Sequence, residues 1–163
     1  VLVSAGIGCT PMTGILAHLV AVGSTRPVLV LHADRSPADH ALRAETRALV
    51  ERLPGARAVF WYEHPEPAEP TAPTQPTQPT AQAEQVERAA GADRADGSDR
   101  AGAEFRSGLM DLDGIELARD ATVFLCGPLP FMRAVRGQLL AAGVPARAVR
   151  YEVFGPDLWL PGS

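Results

Sequence analysis

The sequence has no lysine: its 15 basic residues are all arginine, set against 19 acidic ones, for a net charge of −4. No basic cluster marks one face, so nucleic acid is not an expected partner. Cysteine is scarce. Cys9 and Cys126 lie far apart and fit neither a zinc-ligand spacing nor a disulfide framework, so two free thiols in a reducing cytoplasm are expected. His18, His32, His40 and His64 also lack metal-ligand spacing, and no metal site is expected. No run of eighteen apolar residues is present, which argues against a membrane-spanning helix and a membrane partner. Neither a secretory leader nor an initial methionine opens the chain, and Val1 already sits in an apolar strand pattern. The chain is therefore expected to be a piece of a longer one.

What remains is a globular composition, 46% hydrophobic over 163 residues, enough for one domain with a substantial core. Its first sixteen residues read VLVSAGIGCTPMTGIL. The apolar run Val1–Val3 suits a parallel strand buried on both faces. Gly6 and Gly8 then allow a sharp turn and close approach by a ligand. Thr10 is the expected N-cap and Pro11 the first residue of a helix. Such a strand, glycine turn and helix aim free N–H groups and a positive dipole end at whatever lies over the turn, and phosphate is the natural occupant. The spacing GxGxxP departs from the GxGxxG fingerprint, so on these residues alone a tight turn without a ligand stays open.

Helical spacing of Met12, Ile15, Leu16, Leu19 and Val20 continues to Gly23. Pro27–Ala33 reads as a second strand, His40–Leu53 as an amphipathic helix, and Ala58–Tyr62 as a third strand. From residue 65 to 104 the composition shifts to a proline, threonine and glutamine tract followed by an alanine-rich charged one. With so little apolar surface to offset ordering, this segment is expected to be a disordered insertion. Leu112, Ile115 and Leu117 suggest a short buried, helical stretch. Thr122–Cys126 is the fourth strand, Gly127-Pro128 a second sharp turn, Phe131–Leu140 a helix and Ala148–Phe154 the fifth strand.

Alternating strands and helices predict an α/β fold with a doubly wound, parallel five-stranded sheet in the order 3-2-1-4-5. In that order the first and fourth strands are neighbours. The turns SAGIGCTP and CGPLPF then face each other at the topological switch point, where ligands bind in such sheets. Their convergence favours a ligand over a purely structural turn.

The stretches SAGIGCTPM, WYEHPEP, GLMDL, LCGPLPFM and YEVFGP, in that order, resemble the NAD(P)H-binding domain of flavohaemoproteins. These are the bacterial nitric oxide dioxygenases of the ferredoxin reductase superfamily. The resemblance covers nearly the whole of residues 1–163 apart from the insertion. It implies that Gly6, Ile7, Gly8, Cys9, Thr10 and Pro11 hold the cofactor pyrophosphate and that Cys126, Gly127 and Pro128 lie near the nicotinamide. It further implies that Phe154 stacks on the isoalloxazine of FAD with Val153, Gly155 and Pro156 beside it. Glu152 matches the family's acidic residue that influences the flavin and haem potentials. Glu152 and Cys126 are thus the candidate catalytic residues. FAD would be held mostly by an upstream domain and haem by a globin domain, neither of which this chain contains.

Asp34, at the end of the second strand, would accept from a ribose hydroxyl and favour NADH, while Arg35 beside it would suit a 2′-phosphate; NADH is preferred. Cys9 departs from the usual residue in the turn. Exposed at a helix N-terminus, it would have a lowered pKa. Within reach of Cys126, it would form a reversible disulfide that blocks the nucleotide. Two other functions stay open: the reductase of another electron-transfer chain, and a non-catalytic nucleotide-binding module.

Overall fold

The computed structural model describes residues 1–65 and 103–152. Nine regular elements are formed by these residues: β1 (Leu2–Ala5), α1 (Cys9–Ala21), β2 (Val28–Asp34), α2 (Arg43–Glu51), β3 (Ala56–Tyr62), β4 (Ala103–Ser107), β5 (Val123–Cys126), α3 (Leu129–Ala141) and β6 (Val149–Glu152). All six strands are parallel, in the order β4-β3-β2-β1-β5-β6. The α/β class is as expected, but the sheet has six strands and not five. The expected order 3-2-1-4-5 is extended by β4, which pairs with β3 from Ala58↔Ala103 to Tyr62↔Ser107.

Strand pleating sorts the apolar residues onto two faces. Leu2, Val30, Ala58 and Phe60 pack with Met12 and Leu16 of α1 and Leu49 and Val50 of α2. Val3, Leu31, Val59, Trp61 and Leu125 pack on the other face with Met132, Val135 and Leu139 of α3. Leu16 and Leu139 are fully buried, and each side chain so removed from water contributes roughly 2 kcal/mol. The central strands are covered on both sides, which explains their mostly apolar character, with Ser4 of β1 and His32 of β2 as buried exceptions. By contrast β4 alternates, with Glu104 and Arg106 paired through Arg106 Nε to Glu104 Oε1 at 2.6 Å, and such charges protect an edge.

Several boundaries differ from those expected of the sequence. Ala103 and Glu104, at the far limit of the expected insertion, open β4; residues 66–102 lie outside the described ones, as do Val153, Phe154, Gly155 and Pro156. The second helix begins at Arg43 and not His40, because His40 is drawn into the core and Leu42 takes a left-handed conformation at φ 57°. Residues 108–122 contain turns but no helix, although Leu112 and Ile115 are buried as expected. Thr10 does not cap α1. The N-cap is Gly8, and Thr10 Oγ1 instead donates to the Ile7 carbonyl at 3.0 Å, inside the first turn.

Candidate functional site

Both glycine turns lie at the carboxyl edge of the sheet and touch. After β1 the chain makes one 3-10 turn, Gly6–Gly8, and enters α1 directly. Gly6 has a φ of 52°, which favours glycine, and a Cβ there would meet nothing within 4 Å. Gly8 is different: a Cβ at this position would stand 2.4 Å from the Cys126 carbonyl oxygen. A Cβ on Gly127 would likewise fall 2.8 Å from the Phe131 ring and 3.2 Å from the Ala5 nitrogen. The turns are packed backbone to backbone because neither carries a side chain at the contact.

This contact brings two helix N-termini to one crevice. Neither α1 nor α3 has a side-chain cap or an acidic residue in its first turn, and Pro128 and Pro130 shape the entry to α3. Two helix starts with no side-chain cap and no competing carboxylate suit an anion at the switch point. Ile7 and Thr10 are exposed and Pro11 half-buried, so the first turn is open on its outer side.

A single row of side chains crosses the sheet on the α1–α2 face: Phe105, Phe60, His32, Ser4, Cys126 and Glu152 are successive register partners. Cys126 and Glu152, the candidate catalytic pair, are thereby neighbours, with Cys126 buried and Glu152 exposed. Beside them a groove of about 130 Å³ runs between Pro11, Met12 and Ile15 of α1 and Arg150 and Glu152 of β6. Burial first, and the Glu152 charge second, push the Cys126 thiol up.

Cys9 corrects an expectation. It is buried, its Sγ donates to the Ala41 carbonyl at 3.3 Å, and burial pushes its pKa up despite its place at a helix N-terminus. Desolvation outweighs the hydrogen bonds from Thr10 and the backbone that would lower it. Both thiols are free.

Asp34 is brought to the carboxyl edge but turned inward, its side chain 9% exposed. Its Oδ1 accepts the Arg35 N–H at 2.9 Å and its Oδ2 lies 3.4 Å from His32 Nε2. Desolvation raises the pKa of this carboxyl, but His32 and the Arg35 amide outweigh it and hold the group below its usual range. The exposed groups at this corner are Arg35 and Asp39, paired through Arg35 Nη2 to Asp39 Oδ1 at 3.3 Å; the half-buried Ser36 hydroxyl donates to Asp39 Oδ2 at 2.7 Å.

Sequence reasoning missed the buried histidine pair under this loop. The His32 and His40 rings stack at 3.8 Å, 23° from parallel, with Phe60 edge-on to both. Ser4 Oγ lies 2.9 Å from His32 Nδ1, and the Tyr62 hydroxyl 2.8 Å from His40 Nδ1. Burial, then His32, push His40 down to about 3, so it is neutral at pH 7. Among the described residues no three or more His, Cys, Asp or Glu side chains are grouped to hold a metal ion, and no helix is long and apolar enough to cross a membrane.

Residues 2–137 match the family model described as the oxidoreductase NAD-binding domain. The flavohemoprotein of Chromobacterium violaceum is 38% identical over 155 residues, covering 95% of this chain and 32% of that protein. Two solved structures are also similar. The flavohemoglobin from Malassezia yamatoensis with bound FAD and heme has a TM-score of 0.68 at 26% identity, over 94% of this chain and 31% of that one. The FAD/NAD-binding domain of the nitric oxide dioxygenase from Vibrio cholerae has a TM-score of 0.66 at 30% identity, over 95% and 50% respectively. This chain spans about a third of the length of the flavohemoproteins it matches.

Proposed function

The chain belongs to the oxidoreductase NAD-binding domain family, and we propose that it is the NAD(P)H-binding module of a flavohaemoprotein-type nitric oxide dioxygenase. The observation that carries this reading is the contact of the two glycine turns at the switch point, with Gly8 too close to Cys126 for any side chain. The fit to a pyrophosphate is favourable on two counts: open space over Gly6, and neither a side-chain cap nor an acid in the first turn of α1.

In this reading Gly6, Ile7, Gly8, Cys9, Thr10 and Pro11 form the wall around the pyrophosphate, with backbone N–H groups as donors. The second turn, Cys126, Gly127 and Pro128, borders the nicotinamide, and Glu152 adds negative charge at that end. When bound, nicotinamide would supply a hydride that flavin would accept for passage to haem. The protein's own part is position: close packing of the turns would hold the nucleotide crevice in one geometry, and an error of about 1 Å there costs about 100-fold in rate. The resemblance assigns Phe154, with Val153, Gly155 and Pro156, to the flavin; these four follow Glu152 directly in the chain. NADH is the preferred nucleotide. The pairing of Arg35 with Asp39 supports this, because a 2′-phosphate would have to displace a carboxylate to reach the guanidinium.

FAD and haem would be carried by domains upstream in a longer protein. Free thiols at Cys9 and Cys126 support a cytoplasmic setting. The test is the visible spectrum of the full-length product, purified as expressed, before and after NADH. A haem Soret band with flavin absorption that bleaches on NADH is expected. Flavin without haem would indicate the reductase of another electron chain, and neither chromophore a binding module alone.

A further inference from the structure

Residues 35–42 form a strap between β2 and α2, and among them only His40 is buried. The outer part of the strap folds on itself. The Asp39 N–H donates to the Ser36 carbonyl at 3.2 Å, and the Asp39 carboxylate takes Arg35 on one oxygen and Ser36 on the other. An apolar side chain would be the ordinary choice for the one position that enters the core. A histidine there has to stay neutral or come out.

The place that receives His40 suits a neutral imidazole. Its Nδ1 lies 2.8 Å from the Tyr62 hydroxyl, its ring stacks on His32 at 3.8 Å, and Phe60 stands edge-on at 4.9 Å. Its Nε2 is buried without a hydrogen-bond partner. The charged and titratable groups that face it are His32 and Asp34 from β2, Tyr62 from β3 and Arg43 from α2. Of these only the Asp34 carboxylate favours a cation, and its Oδ2 lies beside His32 Nε2 at 3.4 Å.

The backbone next to His40 is bent against its preference. Leu42 holds a left-handed φ of 57° with its side chain 41% exposed, so it takes a strained conformation and gains no burial in return. Between the two residues, the Ala41 carbonyl accepts from Cys9 Sγ at 3.3 Å, and the same stretch thereby covers a thiol that is buried. Both ends of the strap are fixed independently of His40. Thr46 Oγ1 of α2 lies 3.1 Å from Thr13 Oγ1 of α1, Leu49 and Val50 sit in the core, and the His64 N–H donates to the Arg35 carbonyl at 2.7 Å. Residues 36–42 can therefore lift while the sheet and α2 stay in place.

We propose that residues 36–42 are an acid-operated cover for Cys9, in which a proton on His40 releases the strap and makes the thiol accessible. Opening takes up a proton, because His40 titrates at about 3 under the strap and near 6.5 in water. The ratio of open to closed strap then rises about 25-fold from pH 7 to pH 5, and Asp34, held below its usual range, keeps its charge across that window. The test uses dipyridyl disulfide, which modifies thiols in acid by exchange with release of thiopyridone. Rates at Cys9 and Cys126, resolved by mass spectrometry, are each divided by the rate with free cysteine at the same pH. The Cys9 value should rise about 25-fold between pH 7 and pH 5 while the Cys126 value holds. His40→Gln should abolish the rise. Leu42→Gly relieves the bend of the closed strap and should slow Cys9 about fivefold at every pH with the slope retained. A flat Cys9 profile would overturn the proposal, as would a wild-type rise in His40→Gln. Cys9 and Cys126 rising in step would also overturn it, since the whole fold would then be opening. Should His40→Gln fail to fold, an unchanged Cys9 rate in Leu42→Gly would still refute a strap held shut over the thiol.

Discussion

Replacing Gly8 by alanine puts the packing of the two turns to its hardest test. The added Cβ would lie 2.4 Å from the Cys126 oxygen, 2.7 Å from its carbonyl carbon and 3.0 Å from the Gly127 nitrogen. All three are backbone atoms at the end of a buried strand, so no side chain can swing aside. Reaching even 3.0 Å from the oxygen requires the turns to part by at least about 0.6 Å, and ordinary van der Waals contact requires about 1 Å. Overpacking of this kind costs roughly 1–3 kcal/mol of stability. A comparable displacement of groups that hold a reacting ligand costs up to about 100-fold in rate. Urea unfolding and NADH titration of Gly8→Ala should both register the change, with NADH weakened at least about tenfold. Gly14→Ala is the control: within α1 and with nothing near its Cβ, it should gain about 0.5–1 kcal/mol and bind NADH unchanged. Wild-type stability and affinity in Gly8→Ala would refute the claim that the turns form one packed unit.

Other outcomes follow from the same contacts. His40 is neutral in the fold, with a pKa of about 3, but titrates near 6.5 when unfolded. The unfolded chain therefore binds the extra proton, and stability should fall as pH drops from about 6.5 toward 3, by up to about 1.4 kcal/mol per unit; His40→Gln should flatten that slope in urea titrations at several pH values. Gln138→Ala removes both bonds that hold Met110 and Leu112 and should lower unfolding stability by about 1–3 kcal/mol. Cys9 and Cys126 are buried with raised pKa values, so neither should react with iodoacetamide at pH 7.5 until the chain is denatured, when mass spectrometry should find both modified.

The switch point was legible because its signals are local. Apolar runs mark β1 and β5, and a glycine follows each within a residue of the strand end, so topology alone brought the turns together. β4 escaped notice because Ala-Glu-Phe-Arg-Ser has no apolar run; its strand character comes from pairing with β3, a partner some forty residues away in sequence. The inward turn of Asp34 did have a signal. Val28, Val30, His32 and Asp34 share one parity in β2, and period-two alternation sends all four to the α1–α2 face. The His32–His40 stack had none, since a strand residue and a loop residue eight positions apart meet only through the way residues 35–42 fold back. Cys9 shows the limit of a motif: position at a helix start suggests a reactive thiol, but only packing against the Ala41 carbonyl reveals that burial decides its pKa.

The most direct measurement is an NMR titration of the isotopically labelled chain with NADH, followed at the backbone amides. Shifts should concentrate at Gly6, Gly8, Thr10 and Gly127, the N–H groups at the two turns, while Val28 and Ala56 at the opposite edge of the sheet stay fixed. Saturable shifts confined to that opposite edge, or none at millimolar NADH, would contradict a nucleotide site at the switch point.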